Sequence, residues 1–307
     1  MQSNSADSGW ELTRRDFLRF GSAVAIAGPL SRIPAAEAES PVLRFGMFTD
    51  CHFADAEPLG TRAYRDSLPK VAEAVEFMNS QDLAFALENG DFKDQSLKPS
   101  AEQTLSYLSQ IEAEFARFKG PRYHVLGNHD MDSISKSQFQ SVVENTGIPK
   151  EQTFYSFNAK GTHIVALDAC FASKDAAYDS GNFDWKDANV PATQLDWLKA
   201  DLAAQSMPTI VFIHQRLDGE GSLYVKNAAS VRSILESQGN VLAVFQGHDH
   251  PGGHSHIKNI HYYTLRAVVE GAGMDNNAFA TVDLDASGSL TVNGYKKAAG
   301  MALPAKL

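Results

Sequence analysis

Five short polar clusters, each at the end of an apolar run, place the strongest constraint on the fold of this chain. In order they are D-C-H at 50–52, G-D-F-K-D at 90–94, G-N-H-D at 127–130, His214 and G-H-D-H at 247–250. Each apolar run reads as a buried strand, so each cluster lies where a strand ends and a loop begins. Ligands bind at such strand ends in α/β sheets. The pattern therefore predicts that carboxylate, amide and imidazole groups converge in one place, which would supply ligands for two divalent metal ions.

Helical and strand patterns alternate along the first part of the chain, and strands dominate the last third. The spacing of apolar residues predicts helices over 65–79, 100–119, 136–145, 195–204 and 228–238. Apolar or alternating runs predict strands at 42–49, 83–87, 123–126, 154–157, 163–167, 209–213, 241–245, 260–265, 279–284 and 290–295. This order is typical of an α/β protein in which two mixed sheets pack face to face and helices flank them, a four-layer α/β/β/α sandwich.

Composition narrows the class of partner. The 307 residues, 43% of them hydrophobic, suffice for one large domain. The formal net charge of −10 argues against a general nucleic-acid binder, which needs basic patches. A small phosphorylated substrate is still expected, because two divalent ions and two carboxylate ligands would leave the site at about +2. The only two cysteines, Cys51 and Cys170, exclude a disulfide framework but leave a single bridge between them open.

The first 38 residues have the features of an export signal. Arg14 and Arg15 stand in T-R-R-D-F-L, a short apolar stretch follows at 20–30, and A-E-A at 36–38 forms a small-x-small cleavage site. The segment resembles a bacterial twin-arginine signal, which implies the twin-arginine export machinery as a partner and a periplasmic or secreted protein. An amphipathic helix is the alternative, and no permanent membrane anchor is expected because a span needs ~20 apolar residues. We therefore expect a signal peptide at 1–38 and one domain at 39–307.

The ordered set D-x-H, G-D-x-x-D, G-N-H-D, H and G-H-x-H resembles that of the calcineurin-like metallophosphoesterases and extends over residues 50–250. The resemblance implies a metallophosphoesterase domain with two divalent ions, Mn, Fe or Zn, because mixed oxygen and imidazole ligands suit these metals. It assigns the first ion to Asp50, His52 and His250, the second to Asn128, His214 and His248, and the bridging position to Asp91.

The same resemblance implies hydrolysis of a phosphate ester by attack of a metal-bound hydroxide. His129 would contact the phosphate and protonate the leaving group, and Asn128 would contact substrate as well as metal. Asp130 could orient the His129 imidazole, although both residues could instead cap the next helix. Arg216 stands where many relatives have a His-Pro-rich turn, and it either reaches the substrate phosphate or lies on the surface.

Residues outside the five clusters have open roles. Phe183 and Trp185, in a long loop after the strand at 163–167, would either stack on a nucleobase or sugar or pack the loop onto the domain. Three further histidines, expected mainly as strand residues beyond the site, are His254, His256 and His261.

The favoured function is an exported metal-dependent phosphoesterase that acts on small phosphodiesters, phosphomonoesters or nucleotide-type diphosphates. The stretch 55–65 resembles, less closely than the five clusters do, a subgroup near the manganese-dependent ADP-ribose/CDP-alcohol diphosphatases. One alternative is a nuclease of the same fold, which the acidic charge disfavours. Another is a catalytically inactive metal-binding interaction scaffold, which would be expected to lose metal ligands.

Overall fold

The computed structural model describes residues 41–95 and 97–305, and the predicted signal peptide at 1–38 lies outside them. Within these residues the strands are β1 (Leu43–Phe48), β2 (Phe85–Glu88), β3 (Arg122–His124), β4 (Tyr155–Ala159), β5 (Thr162–Ala166), β6 (Thr209–Phe212), β7 (Val241–Gln246), β8 (Gly253–Ile257), β9 (Ile260–Thr264), β10 (Ala278–Leu284), β11 (Leu290–Lys296) and β12 (Met301–Leu303). The α-helices are α1 (Ser67–Asn79), α2 (Ala101–Phe115), α3 (Lys136–Val142), α4 (Ala192–Ala203) and α5 (Ala228–Gln238). None of the helices in the described ranges combines the length and apolar character that crossing a membrane requires.

The strands of this described part form two mixed sheets of six strands each. The strand order is β12-β11-β10-β1-β2-β3 in the first sheet and β4-β5-β6-β7-β9-β8 in the second. Strands β1, β2 and β3 run parallel, as do β5, β6, β7 and β9, whereas the remaining pairs are antiparallel. Parallel strands carry their carboxyl ends to one edge of a sheet, and the polar clusters follow strands of these two parallel sets.

The two sheets pack face to face through aromatic side chains. Phe45 of β1 stacks on Phe85 of β2 with a centroid distance of 5.0 Å. It also contacts Phe212 and Phe245 of the second sheet edge-on, at 5.5 and 5.6 Å. The next residue, Gly46, faces the opposite side of the sheet, and a Cβ added there would lie 2.7 Å from the Met78 sulfur on α1. Strand β1 is therefore buried on both faces, because successive residues of a strand point to opposite sides.

Helices cover the two outer faces. Buried residues of α1, α2 and α3, among them Val71 and Ile111, pack against the first sheet. Buried residues of α4 and α5, such as Leu198 and Val231, pack against the second. The predicted four-layer α/β/β/α sandwich of two mixed sheets is confirmed.

The differences from the predicted elements lie at helix ends and sheet edges. Helix α2 begins at Ala101, one residue after the predicted start at Ser100, whose Oγ caps the helix by accepting the N–H of Gln103 at 3.2 Å. It ends at Phe115 rather than at 119. Strands β8 and β12 were not predicted. Both lie at the edge of a sheet, where a strand can be partly exposed and need not show an apolar pattern.

The two cysteines belong to the hydrophobic core beside the first sheet. Cys51 and Cys170 are both fully buried. Each is a free cysteine, so the bridge left open by the sequence is not formed in the structure. Cys170 Sγ instead donates to the carbonyl of Leu126 at 3.3 Å.

Candidate active site

The polar clusters follow the carboxyl ends of β1, β2, β3, β6 and β7. Backbone hydrogen bonds join neighbouring clusters directly. Asp50 donates its N–H to the Gly90 carbonyl at 2.9 Å, and Gly247 donates to the His214 carbonyl at 2.9 Å. The loops thus support one another at the strand ends, and rigid loops are what a preorganised metal site requires.

Two glycines of the clusters allow this close approach. A Cβ at Gly127 would lie 2.2 Å from the Asp91 backbone nitrogen, and one at Gly247 would lie 2.3 Å from Thr49 Oγ1. Neither position has room for a side chain. The glycines of G-N-H-D and G-H-D-H are therefore required by packing between loops.

Four of the predicted metal ligands adopt left-handed backbone conformations. The φ angles are 54° at Asp50, 47° at His52, 56° at Asp91 and 67° at His248. Such conformations are uncommon outside glycine, although Asp and His adopt them more readily than most residues. They persist where surrounding contacts hold them, and they cluster at functional sites.

The predicted ligands come together around Asp91. Six of them form two groups whose ligand atoms lie within 4.8 Å of one another: Asp50, His52 and His250, and Asp91, His214 and His248. Asp91 Oδ2 lies 3.5 Å from His52 Nε2 and 3.1 Å from His214 Nε2, so it stands between the groups. The seventh predicted ligand, Asn128, is also buried. The next residue, His129, donates its backbone N–H to Asp91 Oδ1 at 2.7 Å, which holds Asn128 beside the two groups.

Unsatisfied polar atoms in the two groups fit a pair of cations. Among the described residues, no aligned hydrogen-bond partner exists for the buried Nε2 atoms of His214 and His248 or for either side-chain atom of Asn128. His52 Nε2 and His250 Nε2 face each other at 3.2 Å. Buried polar atoms normally have partners, and cations would supply them to the imidazole Nε2 atoms and to the Asn128 oxygen. The donor set of carboxylates, imidazoles and an amide suits two divalent ions.

The buried carboxylates and imidazoles shift one another's pKa. Burial lowers the pKa of His214, but the charges of Asp91 and Asp50 outweigh burial and raise it to about 10. Burial also lowers the pKa of His52, whereas the hydrogen bond with Asp50 and the charge of Asp91 raise it to about 9. Without cations the acidic centre therefore retains protons on these imidazoles, and the protons must leave when metals bind.

The second nitrogen of three predicted histidine ligands is fixed by a neighbour. His52 Nδ1 lies 3.1 Å from Asp94 Oδ2, and His250 Nδ1 lies 2.6 Å from Glu270 Oε1. His214 Nδ1 donates to the Asn89 carbonyl at 2.8 Å. These contacts set ring orientation and tautomer, and they leave Nε2 of each ring for a metal.

Asp94 and Glu270 were not predicted as partners of metal-binding histidines. Asp94 belongs to G-D-F-K-D, but the resemblance assigned it no role. Glu270 lies outside all five clusters, and no local motif marks it. Its contact with His250 arises only from the fold, which brings the segment after β9 beside the loop after β7.

His129 lies at the centre, next to the first group. Its ring is 4.7 Å from that of His52, and its side chain remains 22% exposed. Its Nδ1 lies 3.5 Å from Asp94 Oδ2 and 3.9 Å from Asp132 Oδ2. Asp132 is already paired with the buried ammonium group of Lys93. Asp94 is thus the better placed carboxylate to orient His129.

Asp130 contacts backbone groups rather than the His129 imidazole that it could have oriented. Its carboxylate accepts backbone N–H groups from Gly127 at 2.8 Å, Phe92 at 2.9 Å and Asp91 at 3.1 Å. These bonds join the G-N-H-D loop to the G-D-F-K-D loop. The structure therefore gives Asp130 a role in holding two ligand-bearing loops together.

Arg216 also has carboxylate partners within the protein. Its guanidinium pairs with Asp218 through contacts of 3.0 and 2.9 Å, and it pairs with Asp249 as well. It lies 4.8 Å over the ring of Tyr224. Because Asp249 stands between His248 and His250, Arg216 joins the loop after β6 to the loop after β7.

Aromatic rings and an open groove border the centre. The ring of Phe183 lies 5.5 Å from that of His129, and the ring of Trp185 lies 6.1 Å from that of His248. The long loop therefore packs its aromatics against the site. A groove of about 930 Å³ opens beside the centre, with walls that include Leu59, Arg62, Tyr64, Asp94, Leu97 and His129.

Comparison with known proteins agrees with this geometry. Residues 43–252 match the calcineurin-like phosphoesterase family. A manganese-dependent ADP-ribose/CDP-alcohol diphosphatase of Oryza sativa subsp. japonica is 26% identical over 287 residues, which cover 76% of this chain and 86% of the rice protein. The protein of the same name from Arabidopsis thaliana is 25% identical and covers 76% and 88%.

A solved structure supports the fold. The crystal structure of a dimetal phosphatase from Danio rerio superposes with a TM-score of 0.74 at 21% identity, covering 87% of this chain and 100% of that chain. The match of more than half of the chain to one family, together with the two groups of ligand atoms, confirms the resemblance seen in the five clusters. The chain therefore belongs to the calcineurin-like phosphoesterase family, and it is a metal-dependent hydrolase with a dinuclear centre.

Proposed function

We propose that this protein hydrolyses nucleotide-type diphosphates, of which ADP-ribose and CDP-alcohols are examples, with manganese at the dinuclear centre. The rice and Arabidopsis relatives are named for this activity, and each covers about three quarters of the chain. The observation that carries the proposal is the groove at His129, because the stretch 55–65 forms part of its wall. A groove of this size matches pockets that hold a nucleotide-sized ligand.

The residues of the centre divide the work of hydrolysis between them. Asp50, His52 and His250 would hold one ion, Asn128, His214 and His248 the other, and Asp91 would bridge. When bound, the two ions lower the pKa of water and neutralise charge on the phosphoryl oxygens. Water adds to phosphorus, the bond to the bridging oxygen breaks, and two phosphomonoesters leave.

His129 would supply the proton for the leaving oxygen. Because Asp94 faces Nδ1 at 3.5 Å, the proton on Nε2 is the one available to the substrate. We expect the contact between His129 Nδ1 and Asp94 to shorten when substrate binds, because catalytic hydrogen bonds are often long in the free enzyme and tighten in the complex. The Asn128 amide would donate to a phosphoryl oxygen through Nδ2.

The two alternative functions have less support. A nuclease would need a basic track for the phosphate backbone, whereas the groove wall includes Asp55, Glu57 and Asp94 beside Arg62 and Arg65. An inactive scaffold would be expected to lack ligands, whereas all seven predicted ligands and His129 are present.

Relative hydrolysis rates test the proposal. The full-length protein, loaded with Mn²⁺, is assayed on ADP-ribose, a CDP-alcohol, bis-p-nitrophenyl phosphate and p-nitrophenyl phosphate, with a metal-stripped control. We expect metal-dependent turnover with the highest kcat/KM on the two diphosphates. A preference for p-nitrophenyl phosphate would indicate a monoesterase and contradict the proposal.

We also propose that the protein is exported by the twin-arginine route to the periplasm or beyond. Support comes from Arg14 and Arg15, the apolar stretch at 20–30 and the A-E-A site. In cell fractionation, the wild type is expected outside the cytoplasm and the double variant Arg14→Lys, Arg15→Lys inside it. Equal distribution of the two proteins would contradict the assignment.

A further inference from the structure

Three histidines lie together on the hairpin of β8 and β9, outside the dinuclear centre. His254 and His256 are two residues apart on β8 and therefore point to the same face. His261 of β9 stands directly opposite His256 in the antiparallel register. The hairpin thus presents three imidazoles on one face of a two-stranded ribbon at the edge of the second sheet.

The ring nitrogens of two of these histidines face each other. His254 Nε2 lies 3.1 Å from His261 Nδ1. His261 Nε2 lies 2.9 Å from the Pro304 carbonyl. A carbonyl can only accept, so Nε2 carries the proton and Nδ1 of the neutral ring keeps its lone pair toward His254.

The third histidine stacks on the same ring. The His256 and His261 rings are 4.3 Å apart with an interplanar angle of 11°. His254 and His256 are exposed, whereas His261 is only 5% exposed. An ion in solution can therefore reach the cluster from the side of β8, while the buried His261 ring stays in a fixed position.

The environment favours neutral imidazoles. Burial lowers the pKa of His254, and the adjacent His261 and His256 lower it further against an opposing effect of Asp218. Burial likewise lowers the pKa of His261, against an opposing effect of the hydrogen bond to the Pro304 carbonyl and with a smaller lowering by His256. Neutral imidazole is the form that binds metal.

We propose that this hairpin is a binding site for one late first-row divalent ion, Zn²⁺, Ni²⁺ or Cu²⁺, separate from the dinuclear centre. His261 Nδ1 is one ligand, His254 Nε2 becomes the second when its proton moves to Nδ1 of the same ring, and His256 adds a third after its ring rotates. Adjacent ligands at bond lengths of about 2.0–2.1 Å lie about 3 Å apart, which is the separation of these nitrogens. A site of imidazoles alone favours these ions over Mn²⁺, in contrast to the carboxylate-rich centre.

An ion at this position would also tie the edge of the second sheet to the C-terminal segment. Strand β8 is the outermost strand, and His261 already bonds the Pro304 carbonyl. The ion would join β8 to β9 through side chains in addition to their backbone ladder. A stabilising effect of the ion on the whole fold is therefore expected.

Metal counting tests the site without reference to turnover. The full-length protein is saturated with Zn²⁺, dialysed and analysed by inductively coupled plasma mass spectrometry. We expect three ions per chain in the wild type and two in His254→Gln, which is exposed and should fold normally. His163→Gln serves as control, because His163 lies elsewhere and pairs with Asn158 and Asp201, and it should keep three ions.

A second measurement, the Tm, distinguishes loss of the site from misfolding of the variant. Zn²⁺ added to the zinc-loaded wild type beyond two equivalents should raise its Tm, and the same addition should leave His254→Gln unchanged. Equal ion counts in the wild type and His254→Gln would overturn the hairpin site. Loss of the dinuclear centre would instead lower both counts together, and failure of the diphosphatase assay would leave both counts unaffected.

Discussion

His129 differs from His52, His214 and His250 because no aligned hydrogen bond from the described part of the chain fixes its ring. Its Nδ1 is buried and has no aligned hydrogen-bond partner among the described residues, although Asp94 is 3.5 Å away. The sequence predicted His129 from G-N-H-D, but it could not tell which carboxylate faces the ring. That choice depends on the turn at 128–131, which directs Asp130 to backbone amides instead. The pattern thus identifies the residue, and the loop geometry identifies its partner.

Replacement of His129 tests its role as proton donor. In His129→Ala we expect both metals to remain and kcat on diphenyl phosphate to fall about 10²–10⁴-fold, because its basic phenolate leaving group loses its acid. The loss should be smaller on bis-p-nitrophenyl phosphate, whose p-nitrophenolate leaving group is a weaker base. Steady-state kinetics on both diesters measure the difference, and equal losses on the two would argue against general-acid catalysis.

Asp91 is the residue whose loss should affect both ions. Its Oδ2 faces His52 and His214 from opposite groups. Asp91→Asn removes the bridging charge, so we expect activity to be abolished and the metal content to fall below two ions per chain. Metal analysis and an ADP-ribose assay check this together. Full turnover in the variant would refute the bridging assignment.

At the scale of elements, the segment 266–273 joins the metal loops to the groove. Val269 donates to the Asp50 carbonyl at 3.1 Å and accepts from Ala63, in the groove loop, at 2.9 Å. Lys70, a buried lysine of α1, donates to two carbonyls of the segment at 2.8 and 2.7 Å. The segment therefore connects the groove wall to the metal loops through backbone hydrogen bonds.

Glu270 of this segment should affect metal affinity through His250. In Glu270→Gln the hydrogen bond to His250 Nδ1 loses its charge, and we expect metal affinity to fall about 10–100-fold. Equilibrium dialysis with Mn²⁺ measures the change. Glu57→Gln is the matched control, since Glu57 is an exposed carboxylate paired with Arg65, and it should bind Mn²⁺ as the wild type does. Unchanged affinity in Glu270→Gln would show that Glu270 does not support the ligand.

The elements that the sequence predicts well are those with an apolar face. Strand β1 is readable because Phe45 and Met47 fill the space between the sheets. Strand β8 has the sequence G-H-S-H-I and no buried residue, so it lacks the apolar pattern from which a strand is predicted. Glu270 escaped for a related reason, because its role comes from a contact across 20 residues rather than from a local motif.

At the scale of the whole molecule, a triad of ionisable side chains is buried in the core. His124 of β3 lies 3.3 Å from Glu88 of β2 and 3.1 Å from Glu112 of α2. Burial lowers the pKa of His124, but Glu112 and Glu88 outweigh burial and raise it to about 9. Burial raises the pKa of Glu88 to about 8. Both shifts mean that the folded state holds protons more tightly than the unfolded chain does.

The triad makes stability depend on pH. A raised pKa of His124 contributes stability that is complete below about pH 6.5 and is lost as the pH rises through about 9. We expect the free energy of unfolding to fall on the order of 2 kcal/mol over this window. Denaturant titrations between pH 6 and 9.5 measure it, with His124→Gln as the variant that should show a flatter profile. Parallel profiles would contradict the assignment.

The left-handed backbone at Asp50, His52, Asp91 and His248 bears on how such a chain changes under mutation. Each conformation costs on the order of 1 kcal/mol for a residue with a side chain, and glycine would relieve it. The same substitution would also remove a buried side chain and its hydrogen bonds, such as those that the Asp50 carboxylate accepts from the His248 N–H, and this loss costs more than the strain relieved. A chain released from selection for hydrolysis would therefore be expected to gain no stability from glycine at these four positions.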